Sequence, residues 1–323
     1  MGELAAEVRE AARRIERHVV ETPLWHSVPL SRRAGAEVFL KLENLQHTGS
    51  FKVRGALHKV LSLDEPQRRR GVVAASTGNH GLAVAYAASI ASCPATVYLP
   101  EGAAAHKVAR LRDLAVDLCW HGTDCEQTER FARQRAAATG RVFVSPYNDP
   151  AVIAGQGTVA RELARQLGRA PDVCFVAVGG GGLMAGVGTV LRELRADVRL
   201  VGCWPARSPV LYQCLQAGRI VPWPSQPTLS DATAGGVEPD AVTFDLCREL
   251  IDEAILVREE EIRRAMQLVR DEHGLIIEGA AGVALAGLLR APGRFAGQTA
   301  VVVLCGRNVA PAELARAAGP APG

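Results

Sequence analysis

Only four lysines, Lys41, Lys52, Lys59 and Lys107, stand against 33 arginines in this chain of 323 residues. A guanidinium neither forms an imine nor releases a proton near neutral pH, so chemistry that needs an amine must keep its lysine. Lys52 lies in Thr48-Gly49-Ser50-Phe51-Lys52-Val53-Arg54-Gly55-Ala56, between a short strand and a predicted helix. Thr48-Gly49-Ser50 reads as a helix cap. Lys52 then falls in the first helical turn, at the positive end of the macrodipole. That placement suits an imine-forming amine, because it lowers the pKa and enlarges the neutral fraction.

Three further segments could carry chemistry. Ser76-Thr77-Gly78-Asn79-His80-Gly81 leaves a strand and enters a helix. Backbone N–H groups and small side chains at such a helix start can hold a carboxylate. His80 reads as a structural hydrogen-bonding residue. Gly179-Gly180-Gly181-Gly182-Leu183 follows a buried strand. Four glycines in a row are costly in chain entropy but let a backbone wrap a phosphate. The run is not G-x-G-x-x-G and lacks a ribose-binding acid beyond it, which argues against a nicotinamide oxidoreductase. Val301–Cys305 is a β-branched strand ending in a thiol, followed by Gly306-Arg307-Asn308. Glu278 sits in an otherwise apolar stretch and needs a partner if buried. Asp231, in a Gly-containing loop, reads equally as a cap or a solvated charge.

The elements that must position these residues alternate. Strands are expected at Val38–Leu42, Val72–Ala75, Ala95–Leu99, Asp117–Trp120, Arg141–Ser145, Asp172–Val178, Leu200–Trp204, Ala254–Val257 and Thr299–Leu304. Helices are expected in the N-terminal amphipathic stretch, at Gly81–Ser89, Lys107–Leu114, Gln127–Ala138, Gln156–Gln166, Leu183–Leu194, Glu259–Glu272 and Ala280–Leu289. Such alternation implies an α/β fold with mostly parallel sheets. Ligands of these sheets sit at the carboxyl ends of strands. The last twenty residues, rich in Ala, Gly and Pro, are expected to fray.

With 48% hydrophobic and 22% charged residues and a formal net charge of +3, the composition is that of an ordinary globular enzyme. The positive charge is scattered, so neither nucleic acid nor a membrane surface is an expected partner. The eight cysteines show no metal-ligand spacing and read as reduced core residues of a cytoplasmic protein. The charged N-terminus does not read as a signal peptide.

Taken together, the four segments resemble the serine/threonine dehydratase group of fold-type II pyridoxal-phosphate enzymes, which includes serine racemase. The lysine motif matches Gly49–Ala56, the S-x-G-N-H-G loop Ser76–Gly81, the P-x-V-I-A-G-Q-G-T run Pro150–Thr158, and the tetraglycine loop Gly179–Gly182. The resemblance implies pyridoxal 5'-phosphate as cofactor, Lys52 as its Schiff-base lysine and the base for the Cα proton, and Phe51 beside it. It places Asn79 on the phenolic oxygen, Gly179, Gly180, Gly181, Gly182 and Leu183 on the phosphate, and Glu278 near the ring. Ser76, Thr77, Gly78 and His80 line the substrate side. It implies a large cofactor domain of residues 1–68 and 149–323, a small domain of 69–148, and a homodimer.

Departures from the group carry meaning. Cys305 stands at the ring-nitrogen position, where Ser or Thr is usual, and a neutral thiol makes a weaker electron sink. Thr77 replaces the second-face Ser of racemases, which disfavours racemisation. Arg307 replaces a Gly. Trp204 occupies the position of a metal-ligating Glu, so no divalent cation is expected there. The implied reaction is β-elimination of water from a threonine- or serine-like amino acid, giving a 2-oxo acid and ammonia. A stretch similar to hydroxyectoine-utilisation dehydratases, Thr228–Leu250 with Cys305–Asn308, raises a hydroxylated diaminobutyrate derivative as an alternative substrate. A β-replacement synthase and a racemase are further alternatives.

Overall fold

The computed structural model describes residues 2–290 and 292–309. The expected fraying of the C-terminal tail falls largely outside them. Helix α1 (Gly2–Ile15) leads to β1 (Leu24–His26), α2 (Val28–Ala34), β2 (Glu37–Lys41), α3 (Lys52–Leu61) and α4 (Glu65–Arg70). A second group follows: β3 (Val72–Ala75), α5 (Asn79–Ile90), β4 (Ala95–Leu99), α6 (Ala105–Arg112), β5 (Asp117–Trp120), α7 (Cys125–Thr139) and β6 (Val142–Phe143). The chain then runs through α8 (Pro150–Leu167), β7 (Val173–Ala177), α9 (Gly182–Leu194), β8 (Arg199–Pro205), α10 (Val210–Ala217) and α11 (Val242–Leu250). It continues with β9 (Glu253–Val257), α12 (Glu259–His273), α13 (Gly279–Leu289) and β10 (Thr299–Val303).

The strands form two sheets. The larger has the order β1-β2-β10-β7-β8-β9 and the smaller β5-β4-β3-β6. Every pairing is parallel except β1 with β2, which is antiparallel at the sheet edge. All five residues of β7 and all five of β10 are buried, which is why those runs are apolar throughout rather than alternating.

The expected strands are all present, most within a residue or two of their predicted ends. The Arg141–Ser145 strand shortens to Val142–Phe143, and α8 begins at Pro150, six residues earlier than expected. Asp149 explains the early start: its side chain accepts from the N–H groups of Ala151 and Val152, and Pro150 fixes φ for the first turn. Helices α2, α4, α10 and α11 and strand β1 were not anticipated. Each is short; α2, α10 and α11 lean on buried neighbours, whereas α4 buries no residue and is held by the Asp64–Gln67 capping box.

Helix α8 is the spine that fixes the distance between the two motifs of greatest interest. It crosses α3 at a glycine pair: a Cβ on Gly155 would lie 2.5 Å from the Gly55 Cα. It crosses α9 at a second pair, where a Cβ on Gly186 would lie 2.6 Å from the Gly157 nitrogen. Backbones meet directly at both crossings, so the helices carrying Lys52 and the tetraglycine loop are locked to one support. Gly155→Val forces α3 away from α8. The expected cost is about 1–3 kcal/mol by overpacking, read as a lowered midpoint in urea unfolding.

Candidate active site

A cavity of about 630 Å³ opens where the carboxyl ends of β3, β7 and β10 face the start of α3. Its walls include all the site residues expected from sequence: Phe51, Lys52, the 76–80 segment, the 179–183 segment, Glu278 and Cys305. A larger groove of about 890 Å³ runs beside α1 and α8. Five of its six arginines, 13, 54, 165, 169 and 195, are already paired with carboxylates, and none of the expected site residues lines it.

Lys52 is the first residue of α3. The expected cap does not form: the N-cap is Phe51, which makes no side-chain cap bond, and the Ser50 and Thr48 hydroxyls are buried without partners. The segment is held by backbone pairing instead. Ser50 bridges Gly306 in antiparallel fashion and the Phe51 N–H donates to the Cys305 carbonyl at 3.1 Å. Gly49, at φ +76°, makes the turn that allows this. The pairing sets Lys52 beside Cys305. The Lys52 amine donates to the Pro146 carbonyl at 2.6 Å. Burial lowers its pKa to about 8, against the opposing pull of the Glu278 carboxylate. The expected direction holds, and desolvation is the main cause.

The tetraglycine loop joins β7 to α9. Gly181 is the N-cap at φ +90°, and α9 starts with no side-chain cap bond. A Cβ on Gly180 would lie 2.5 Å from the Tyr147 ring, and one on Gly179 would lie 2.9 Å from Thr233. The loop is therefore pinned from both sides, with the carbonyl of Gly180 also taken by the Thr243 hydroxyl at 2.6 Å. Its N–H groups at the uncapped helix start are the donors a phosphate needs. Sequence reading missed Tyr147; a lone aromatic after the proline of a strand end gives no signal of what it packs on.

Asn79 is the first residue of α5, which also begins without a side-chain cap at Gly78. Its Nδ2 donates to both Glu278 oxygens, at 2.8 and 3.0 Å, and its Oδ1 accepts from Asn308 Nδ2 at 2.5 Å. Glu278 accepts a third bond from the Asn308 N–H at 3.0 Å. These are the partners its burial required, and Asn308 was missed. Burial still raises its pKa to about 7. The Cys305 thiol is pushed well above its ordinary pKa, chiefly by burial, so it stays protonated. His80 bonds the Val144 carbonyl at 2.8 Å, and burial lowers its pKa to about 3, so it is neutral and structural. Ser76, Thr77 and Gly78 are half-buried along the wall, and a Cβ on Gly78 would meet nothing within 4 Å. Asp231 is neither a cap nor free: it bonds Lys107 at 2.8 Å at the cavity edge. Trp204 is fully buried. No helix among the described residues is long and apolar enough to cross a membrane.

The residues fit pyridoxal phosphate: a desolvated amine, an uncapped glycine turn and a neutral thiol share one cavity.

Two pH predictions follow from burial. The rate at which the cofactor-free protein gains near-visible absorbance on adding pyridoxal phosphate is expected to rise with pH and level off above about 8. A plateau near pH 10 would mean that the amine is not desolvated. Glu278 has its pKa raised from 4.5 to about 7, so its contribution to stability is present below 4.5 and lost as pH rises through 7. Relative to wild type, Glu278→Gln should gain up to about 3 kcal/mol in stability between pH 5 and pH 8. Urea unfolding of the cofactor-free proteins checks this.

Residues 15–306 match the family model described as pyridoxal-phosphate dependent enzyme. The chain is 38% identical over 305 residues to an L-threonine ammonia-lyase of Thermotoga maritima, covering 94% of this chain and 75% of that protein. It is 34% identical to an L-threo-3-hydroxyaspartate ammonia-lyase of Saccharomyces cerevisiae, over 94% of this chain and 92% of the relative. Maize serine racemase superposes with a TM-score of 0.90 at 30% identity, covering 96% of this chain and 95% of its own. The chain belongs to the serine/threonine dehydratase family of fold-type II pyridoxal-phosphate-dependent enzymes, and it is a lyase of that family.

Proposed function

We propose that this chain eliminates water from a small β-hydroxy amino acid, of which threonine and serine are the simplest, and releases a 2-oxo acid and ammonia. The observation that carries the reading is the desolvated Lys52 amine sharing a cavity with the uncapped Gly179–Gly182 turn. Pyridoxal phosphate, when bound, supplies the electron sink that lets a Cα–H bond break.

The chain's own residues supply the rest. Backbone N–H groups of Gly179 to Leu183 hold the cofactor phosphate at the α9 start. Lys52 would hold the cofactor through its Nζ, and the same amine is placed to take the Cα proton of the substrate. A pKa near 8 leaves an appreciable neutral fraction at neutral pH. Ser76, Thr77 and Gly78, at the uncapped start of α5, bind the substrate carboxylate. Asn79, held by Glu278 and Asn308, keeps its amide at a fixed place against the ring. The Cys305 thiol stays neutral and places no formal negative charge at the ring nitrogen. A neutral group at that position would leave the bound cofactor a weaker electron sink, which would favour loss of a β leaving group over reprotonation. Tyr147 and Phe51 cover the cavity walls and keep water from the proton transfer.

The charges at the cavity bear on the diaminobutyrate alternative. Its extra ammonium needs a free carboxylate. Asp231 already pairs with Lys107, and Glu278 is buried and bonded to Asn79 and Asn308. The surroundings therefore favour a neutral or anionic side chain.

Purified holoenzyme is expected to release 2-oxobutyrate from threonine and pyruvate from serine, with unreacted serine remaining the L-isomer. Lys52→Ala should lose the near-visible band and lower turnover by at least about 10³-fold. Accumulation of D-serine without ammonia would favour a racemase, and inertness toward threonine, serine and 3-hydroxy-diaminobutyrate alike would defeat the proposal.

A further inference from the structure

Asn308 lines the cavity, and its side chain joins the lysine loop to the start of α5. Its Nδ2 directs one hydrogen to the Thr48 carbonyl at 2.8 Å and the other to Asn79 Oδ1 at 2.5 Å. A carbonyl can only accept, so the nitrogen of Asn308, not its oxygen, must face Thr48. Asn308 Oδ1 then lies against Gly49, where a Cβ would come within 2.5 Å of it. Glycine at position 49 leaves the room that this orientation needs. The other end of the chain of bonds is fixed in the same way. Asn79 Nδ2 donates to the two Glu278 oxygens at 2.8 and 3.0 Å, and an ionised carboxylate can only accept. Those oxygens subtend much less than the trigonal angle between the amide hydrogens, so they share one N–H. The second N–H of Asn79 has no partner among the described residues, and Asn79 lines the cavity. A flipped Asn79 would set its oxygen against the carboxylate and its nitrogen against the Asn308 nitrogen. Two buried mismatches would result, so the flip is disfavoured.

We infer that Asn308 is a positioning residue: by occupying Asn79 Oδ1 it obliges Asn79 to present a hydrogen-bond donor, never an acceptor, to the bound cofactor ring. The inference rests on the placement of Asn79 against the ring proposed above and adds the polarity of that contact and its cause. Polarity matters because the ring carries a phenolic oxygen. A donor there favours the ionised oxygen, and an acceptor favours the protonated one. For a cofactor joined to a lysine amine, the ionised form absorbs in the near-visible and the protonated form in the near-ultraviolet. The spectrum of the resting holoenzyme therefore reports which end of the Asn79 amide faces the ring.

Absorbance spectra of the holoenzymes test this at a pH of about 8, above the range in which Glu278 takes up its proton. Asn308→Asp keeps the shape of the side chain and loses both donors; Asn308→Leu does the same without adding a charge. In each, the ratio of near-visible to near-ultraviolet absorbance should fall about fivefold or more, the size expected for one buried hydrogen bond. Asn79→Ala should lower the ratio likewise. A ratio that stays at the wild-type value in either residue-308 variant, while Asn79→Ala lowers it, overturns the inference and leaves the placement of Asn79 standing. An unchanged ratio in Asn79→Ala overturns both, whatever the residue-308 variants do. Ammonia release from threonine by the wild type is measured alongside, and the lyase reading stands or falls on that result alone.

Discussion

A charge-neutral quartet, with three members fully buried and Glu162 partly so, holds the lysine helix in place. The Arg54 guanidinium is fully buried and bonds Glu43 at 2.7 and 2.8 Å and Glu162 at 2.6 and 2.8 Å. Lys41, also fully buried, bonds the same Glu162 at 2.8 Å and the Thr22 carbonyl at 2.6 Å. The quartet ties together β2, the turn after it, α3 and α8. Its net gain over a well-packed apolar set is small, because Lys41, Glu43 and Arg54 lose their water altogether and Glu162 loses most of it. Removing one member is another matter, at about 3–5 kcal/mol for the charge left alone. Its value is therefore directional. Arg54 lies two residues beyond Lys52, roughly 200° around the helix. With Arg54 gripped on the scaffold side, Lys52 must point to the other side, into the cavity.

Several helix starts meet at this cavity. Helices α3, α5, α9 and α13 all begin at its wall, and none of the four has a side-chain cap bond. Among the other helices Ser27, Asp64, Asp124 and Asp149 cap the starts of α2, α4, α7 and α8, while α6, α10 and α11 also begin without a side-chain cap bond. Uncapped N–H groups are a cost in an empty cavity and an asset once phosphate and carboxylate arrive. At α13 the N-cap residue is Glu278 itself, whose carboxyl turns to Asn79 instead of its own helix. The site thus gathers four helix starts free of side-chain caps, where anions can be received.

The sequence was informative wherever one residue or one run had to have a particular chemistry. Lys52 among so few lysines, four successive glycines and the β-branched runs of β7 and β10 are of this kind, and they outline the sheets and most of the site. The cap at Ser50 was misread because the segment's real partner, Gly306, lies more than 250 positions away and local pattern cannot reveal it. Tyr147 and Asn308 escaped for a related reason: each acquires its role only from what the fold brings against it. Strand β1 is three residues long and exists as an edge pairing with β2, which no periodicity can announce.

The two glycine crossings on α8 have a consequence for how the enzyme is made. Because α3 and α9 touch one helix backbone to backbone, the reactive amine and the phosphate turn cannot drift apart when nothing is bound between them. A newly synthesised chain thus already presents both at working separation. Loading then asks no rearrangement of α3 against α9, only that the vitamer reach a gap already spanned by one support.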